Sequence, residues 1–134
     1  MNDSPDDSPD ERRVGASGEE LAAAHLAEAG WTIRARNVVM KIGELDIVAS
    51  RETTLGDERA ELIAFVEVKT RASSTQIPAE VNVTRRKRRK LNSLAKVFLD
   101  EHDLHDVCAR FDIVTVDLES TPPEISHYPA AFDA

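Results

Sequence analysis

From Leu62 to Val68 the chain reads Leu-Ile-Ala-Phe-Val-Glu-Val, apolar at every position but one, and Lys69 follows. A run this short has the length of a strand, and a strand without polar alternation is one covered on both faces. The segment therefore asks for a sheet with helices on either side. Its end is charged. Period-two alternation places Glu67, Lys69 and Arg71 on the same face as Ile63 and Phe65, at the point where the burial implied by the apolar run should still hold. Charged groups rarely sit unpaired in such places.

The other elements follow from periodicity. Ser17-Gly18-Glu19-Glu20 leads into Leu21, Ala22, Ala23, Leu26 and Ala27 at helical spacing, with Gly30 as a C-terminal cap, which predicts a helix over 17–29. Strands are predicted over 31–36, 44–49 and 62–68, and 70–83 reads as a polar loop containing Pro78. Thr84 caps a second helix over 84–101, in which Leu91, Leu94, Ala95 and Phe98 recur at i, i+3, i+4, i+7. Strands over 111–116 and 125–128 close the order α-β-β-β-α-β-β. This is an α/β fold with a central mixed sheet flanked by helices.

With 134 residues, 41% of them hydrophobic, the chain has the size and core content of one domain. Residues 1–14 hold Asp3, Asp6, Asp7, Asp10 and Glu11 with Pro5 and Pro9, and read as a disordered acidic tail ahead of a domain over 15–134. No apolar run approaches the ~20 residues that span a bilayer, and the N-terminus lacks a signal-peptide pattern. A cytoplasmic protein with no membrane partner is expected. Cys108 is the single cysteine, so disulfide and multi-cysteine zinc chemistry are not indicated.

The 44–69 hairpin carries the chemistry. If its turn centres on Gly56-Asp57, antiparallel partners sum to 113, setting Ile47 opposite Val66, Val48 opposite Phe65 and Asp46 opposite Glu67. Alternation then puts Leu45, Ile47 and Ala49 on one face and Glu44, Asp46 and Val48 on the other. Two opposed carboxylates repel. A divalent cation would relieve them, and Mg²⁺ is commonly held by one or two carboxylates, waters and phosphate oxygens. Lys69, two residues from Glu67 on the same face, would orient a nucleophile or neutralise charge on a phosphate in the transition state. The plainer alternative is a solvated Glu-x-Lys strand face.

Gly15-x-x-Gly18-Glu19, Gly30-Trp31, Asn37, Gly43-Glu44-Leu45-Asp46, Phe65-Val66-Glu67-Val68-Lys69-x-Arg71, Lys87 with Leu91 and Ala95, and Arg110-Phe111-Asp112-Ile113-Val114 together resemble the YraN family. The resemblance covers residues 15–132 and implies the restriction-endonuclease-like fold of the PD-(D/E)xK nucleases, a superfamily that includes Holliday-junction resolvases. It implies Asp46 and Glu67 as ligands of Mg²⁺ or Mn²⁺, Lys69 as the catalytic lysine, and Glu19 as a further acid completing the site. Val68 would lend its main-chain carbonyl. Resolvase-like relatives pair because two strands are cut, so a homodimer is implied as well. In the loop after the lysine strand, Gln76-Ile77 stand before Pro78-Ala79-Glu80 where relatives often carry Phe-Gly. Read without the family, Glu19 is an acid favoured by a helix N-terminus, and Glu44 is either a partner of Asp46 or a surface residue.

The net charge is −8, from 17 Lys and Arg against 25 Asp and Glu. Between Lys69 and Leu99 the balance reverses, with Glu80 the single acid. Arg85, Arg86, Lys87, Arg88, Arg89 and Lys90 crowd the start of the second helix, where the dipole is already positive. A polyanion would offset both, and nucleic-acid backbone is the natural class, DNA being what the resemblance implies. These six residues and Arg71 are the nucleic-acid-binding candidates. With aromatics at 4% and no groove-reading motif, recognition of structure is expected before recognition of sequence. His102, Asp103, His105, Asp106 and Cys108 read as a helix end, since His is favoured there by the dipole. Three functions are thus in view: a metal-dependent endonuclease acting on branched or damaged DNA in repair or recombination, a non-catalytic nucleic-acid-binding module on the same fold, and a domain whose basic helix binds an acidic partner or the acidic tail.

Overall fold

A computed structural model describes residues 9–71 and 84–132, with side chains described from Ser17 onward. The elements are α1 (Pro9–Glu28), β1 (Thr32–Met40), β2 (Gly43–Leu55), β3 (Glu58–Arg71), α2 (Arg85–Glu101), β4 (Val107–Asp117) and β5 (Glu124–Phe132). This is the expected order. The helix α1 begins at Pro9, eight residues before the predicted start, so residues 9–14 of the expected tail are helical, and the rest of that expectation lies outside the described residues. The departure Gln76-Ile77 also lies outside the described residues.

The sheet runs β1-β2-β3-β4-β5, with β3 and β4 parallel and every other neighbour pair antiparallel. The α2 helix supplies the crossover between the parallel strands, as the geometry of parallel pairs requires. In the hairpin, Ile47↔Val66 through Leu55↔Glu58 all keep the predicted sum, and Gly56 takes φ +62 in the two-residue turn. Only a residue without a Cβ adopts that value freely.

Two cores sandwich the sheet. Ala22, Ala23 and Leu26 of α1 pack with Trp31, Ile47, Ala49, Ala64, Val66, Val114 and Val116. On the other side Leu91, Leu94, Ala95 and Phe98 of α2 pack with Leu45, Val48, Ile63, Phe65 and Phe111. Phe65 meets Phe98 edge to face at 6.0 Å and Phe111 at 5.7 Å, within the range where aromatic pairs add to simple burial. Burial of β3 on both faces is thereby explained.

One expectation fails. Leu45 belongs to the α2 core, while Ile47 and Ala49 belong to the α1 core, so Leu45 does not share their face. The reason lies at Asp46. The β2–β3 ladder has its first pair at Ile47↔Val66, one residue short of the predicted Asp46↔Glu67. There Asp46 Oδ2 accepts the Val68 N–H at 2.9 Å, a side-chain bond in place of the next rung of the ladder. Alternation breaks where a side chain takes over the backbone's bond.

Candidate active site

The end of the β2–β3 ladder lies against the first turn of α2. A cleft of about 130 Å³ opens there, lined by Glu44, Asp46, Glu67, Lys87, Lys90 and Leu91. The sequence builds each wall. Asp46 stands at the kink just described, Glu67 and Lys69 follow the apolar stretch of β3, and Lys87 is one helical turn before Leu91, on the inward stripe of α2.

Asp46 carries the strongest perturbation. Burial pushes its carboxyl up to about 6; the Val68 N–H works the other way, and the negative charges of Glu67, Glu19 and Glu44 push it further up. Four acids therefore act on one locus. Glu19 enters from α1, its pKa raised chiefly by burial and opposed by a hydrogen bond to Asn37 and the charge of Arg36. Asn37 adopts φ 51, a left-handed conformation Asn tolerates better than most residues. The approach of α1 depends on Gly18: a Cβ there would lie 2.0 Å from Thr70 Oγ1 on β3.

Glu67 is the centre of the positive charge. Lys87 Nζ lies 2.9 Å from its Oε2 and Lys69 Nζ 3.6 Å from the same atom. Burial lowers the pKa of Lys69, and Lys87 beside it lowers it further while Glu67 raises it. For Lys87 burial disfavours the charge, but hydrogen bonding to Glu67 and Lys69 holds its pKa above the ordinary lysine value. Two ammoniums thus share one carboxylate oxygen, the more buried of them being the easier to deprotonate.

Of the remaining candidates, Arg85, Arg86, Arg89 and Lys90 are exposed, and Arg88 is half-buried. Thr84 caps the helix, its hydroxyl accepting the Lys87 N–H at 3.1 Å. Arg71, at the end of β3, is 8% exposed. At the other end of α2, His102 Nδ1 lies 2.9 Å from the Phe98 carbonyl and the ring stacks on Phe98 at 4.0 Å, so this histidine completes the helix end.

The donors in the cleft are hard carboxylate oxygens with excess negative charge around Asp46, a set suited to Mg²⁺ or Mn²⁺. Among the described residues no three His, Cys, Asp or Glu side chains form a group that could hold a metal ion. A divalent ion here would have to be held by Asp46 and Glu67 together with waters and substrate oxygens, since the described residues form no closed protein cage.

Two features escaped the sequence reading. The bond between Lys87 and Glu67 was available in outline, because Lys87 is i−4 from Leu91 and must share its face. The other is a second acidic centre in the α1-side layer. Asp112, wholly buried, accepts Arg110 Nε at 2.9 Å and Nη2 at 3.1 Å, the Ala130 N–H at 3.0 Å, and lies 2.8 Å from His127 Nε2. Arg110 and Arg51 also lie over the Trp31 ring, at 5.3 and 4.3 Å from its centroid. Alternation around Phe111 pairs Arg110 with Asp112, but nothing local points to His127.

No helix among the described residues is long and apolar enough to cross a membrane. Residues 18–116 match the family model described as uncharacterised protein family UPF0102. Proteins named UPF0102 protein are similar over most of the chain: that of Myxococcus xanthus is 38% identical over 127 residues, 94% of each chain. The Trichlorobacter lovleyi protein is 40% identical over 121 residues, 90% of each, and the Moorella thermoacetica protein 42% over 108 residues, 81% of this chain and 83% of its own. The YraN-like resemblance of the motifs agrees with these matches, and the chain belongs to the UPF0102 family.

Proposed function

We propose that this protein is a metal-dependent endonuclease of the PD-(D/E)xK superfamily, hydrolysing DNA phosphodiester bonds in branched or damaged DNA during repair or recombination. The observation that carries the reading is that Asp46 and Glu67 line one cleft beside the basic first turn of α2, with Lys69 Nζ 3.6 Å from Glu67 Oε2. Asp46 and Glu67 would hold Mg²⁺ or Mn²⁺. Such an ion, when bound, supplies Lewis acidity toward a phosphoryl oxygen and lowers the pKa of water. Lys69 orients the attacking water and meets the charge that develops on the phosphate. Glu19 adds negative potential at Asp46, and Arg85, Arg86, Arg89 and Lys90 take the flanking phosphates, with the steep salt dependence of counterion release. A cytoplasmic location and a homodimer, each monomer cutting one strand, accompany this reading.

The test is a cleavage panel of duplex, flap, fork and four-way junction with Mg²⁺ or Mn²⁺. Cleavage should vanish with chelator and in Asp46→Asn and Glu67→Gln, while DNA binding is largely kept. Cleavage that survives chelation would end the metal mechanism. A second reading, a nucleic-acid-binding module without turnover, draws on Glu67 Oε2 being shared by two ammoniums. It expects salt-sensitive DNA binding, lost on neutralising the helix cations, and no cleavage with any metal.

A further inference from the structure

Lys87 stands in two places at once. By sequence it belongs to the cationic first turns of α2, where Arg85, Arg86, Arg89 and Lys90 are exposed. By geometry it belongs to the cleft, its ammonium 2.9 Å from Glu67 Oε2 and closer than the 3.6 Å of Lys69. Its side chain is 40% exposed against 17% for Glu67, so one end of this ion pair is reachable from solvent and the other is nearly closed off. A half-exposed lysine is held by little beyond the carboxylate it touches, and its flexible stem lets the ammonium change partners without moving the helix.

The charges make such an exchange consequential. With Lys69 and Lys87 both on one oxygen, Glu67 already has more positive charge beside it than it carries negative charge. A divalent cation bound through Glu67 would meet both ammoniums at close range, and like charges at a few ångströms oppose one another strongly where water is scarce. A phosphate at the start of α2 offers Lys87 an alternative partner, on a surface where exposed Arg86 and Lys90 also face the opening.

Resting on the reading of Asp46 and Glu67 given above, we propose that Lys87 is an exchangeable counter-ion: it occupies Glu67 in the resting site and passes to a backbone phosphate when a polyanion binds, so that polyanion and divalent cation favour each other's binding. Lys87 is then a positioning residue coupling two sites, and the coupling is reciprocal by thermodynamic necessity. The cleft accepts its cation best when DNA is present, which limits loading of the site without substrate.

Calorimetric titration of the full chain with Mn²⁺ in the absence of DNA tests this directly. Lys87→Gln should bind Mn²⁺ about tenfold more tightly than wild type, the scale of ordinary inter-site coupling. Lys87→Arg should restore the wild-type value, and Lys96→Gln, removing an exposed cation farther along α2, should leave it unchanged. The gain should disappear in the Lys87→Gln, Glu67→Gln double variant. Fluorescence anisotropy of a short DNA duplex supplies the reciprocal measurement: Ca²⁺ should tighten duplex binding by wild type and much less by Lys87→Gln. Wild type that binds Mn²⁺ while Lys87→Gln binds it no better overturns the counter-ion role and leaves the metal site standing. Failure of both proteins to bind Mn²⁺ overturns this proposal and the metal-dependent reading together.

Discussion

Asp46, half-buried, and Asp112, wholly buried, are both carboxylates in the central sheet, and their surroundings push them in opposite directions. Burial raises the pKa of each. At Asp112 hydrogen bonds from His127, Arg110 and the Ala130 N–H outweigh it, and the net result is a pKa below the usual carboxylate value. At Asp46 one backbone N–H is set against burial and three neighbouring acids, and the pKa stands at about 6. A carboxylate with its lone pairs taken up is part of the frame; one left short of positive partners is available for a ligand. The same residue type in the same sheet thus carries opposite shifts, decided by what surrounds it.

The sharpest way to break this contrast is Asp112→Ala. It leaves Arg110 and His127 facing a buried gap, and unfolding in urea should show a loss of about 3–5 kcal/mol, the cost of removing one partner of a buried pair. A loss below about 1 kcal/mol would place Asp112 outside the frame, because ordinary surface changes reach that size.

Asp46→Asn should do the reverse. Its folded-state pKa of about 6 exceeds the unfolded 3.8, so the folded protein binds this proton more tightly and ionisation works against folding. The resulting penalty is absent below about pH 4, grows as pH rises toward 6 and is constant above. At pH 7.5 the variant should be more stable by up to about 3 kcal/mol, each pKa unit being worth about 1.4 kcal/mol. Urea midpoints from pH 4.5 to 7.5 should show wild type losing ground to the variant across that window. Parallel curves would sink the idea that Asp46 is held short of partners. Asp112 gives the opposite sign: its contribution is complete at neutral pH and is lost on acidification through its lowered pKa.

Gly18→Ala sharpens the comparison on the helix side, since the new Cβ would lie 2.0 Å from Thr70 Oγ1. A destabilisation of about 1–3 kcal/mol is expected, as for other overpacked contacts. Combining it with Thr70→Ala should recover part of the loss. The smallest effect belongs to Arg59→Ala. Its ion pair with Glu52 spans 3.6 Å with side chains 82% and 73% exposed, and the change in a thermal melt should stay within about 0.5 kcal/mol.

Much of this was legible in the linear chain. The pairing sum of the β2–β3 hairpin followed from Gly56-Asp57 and the apolar pattern, and the buried stripe of α2 followed from the spacing of Leu91, Leu94, Ala95 and Phe98. Glu67 and Lys69 declared themselves by standing at the end of an apolar run. The position of Leu45 was not legible, because strict alternation assumes that the ladder continues, and at Asp46 a side chain ends it. Nor was the Asp112 centre, whose partners His127 and Ala130 come from β5.

The amino-acid order by itself determined the succession of helices and strands, though not their full lengths, how the hairpin pairs and which stretch lies between two layers. Those properties depend on residues a few positions apart, and hydrophobic periodicity records them directly. Only the tertiary structure decided that the ladder yields to a side chain at Asp46, that Lys87 reaches Glu67, and that Asp112 is neutralised while Asp46 is not. Charge balance in a buried site is a sum over groups from distant segments in a poorly screening medium, and no local pattern carries that sum.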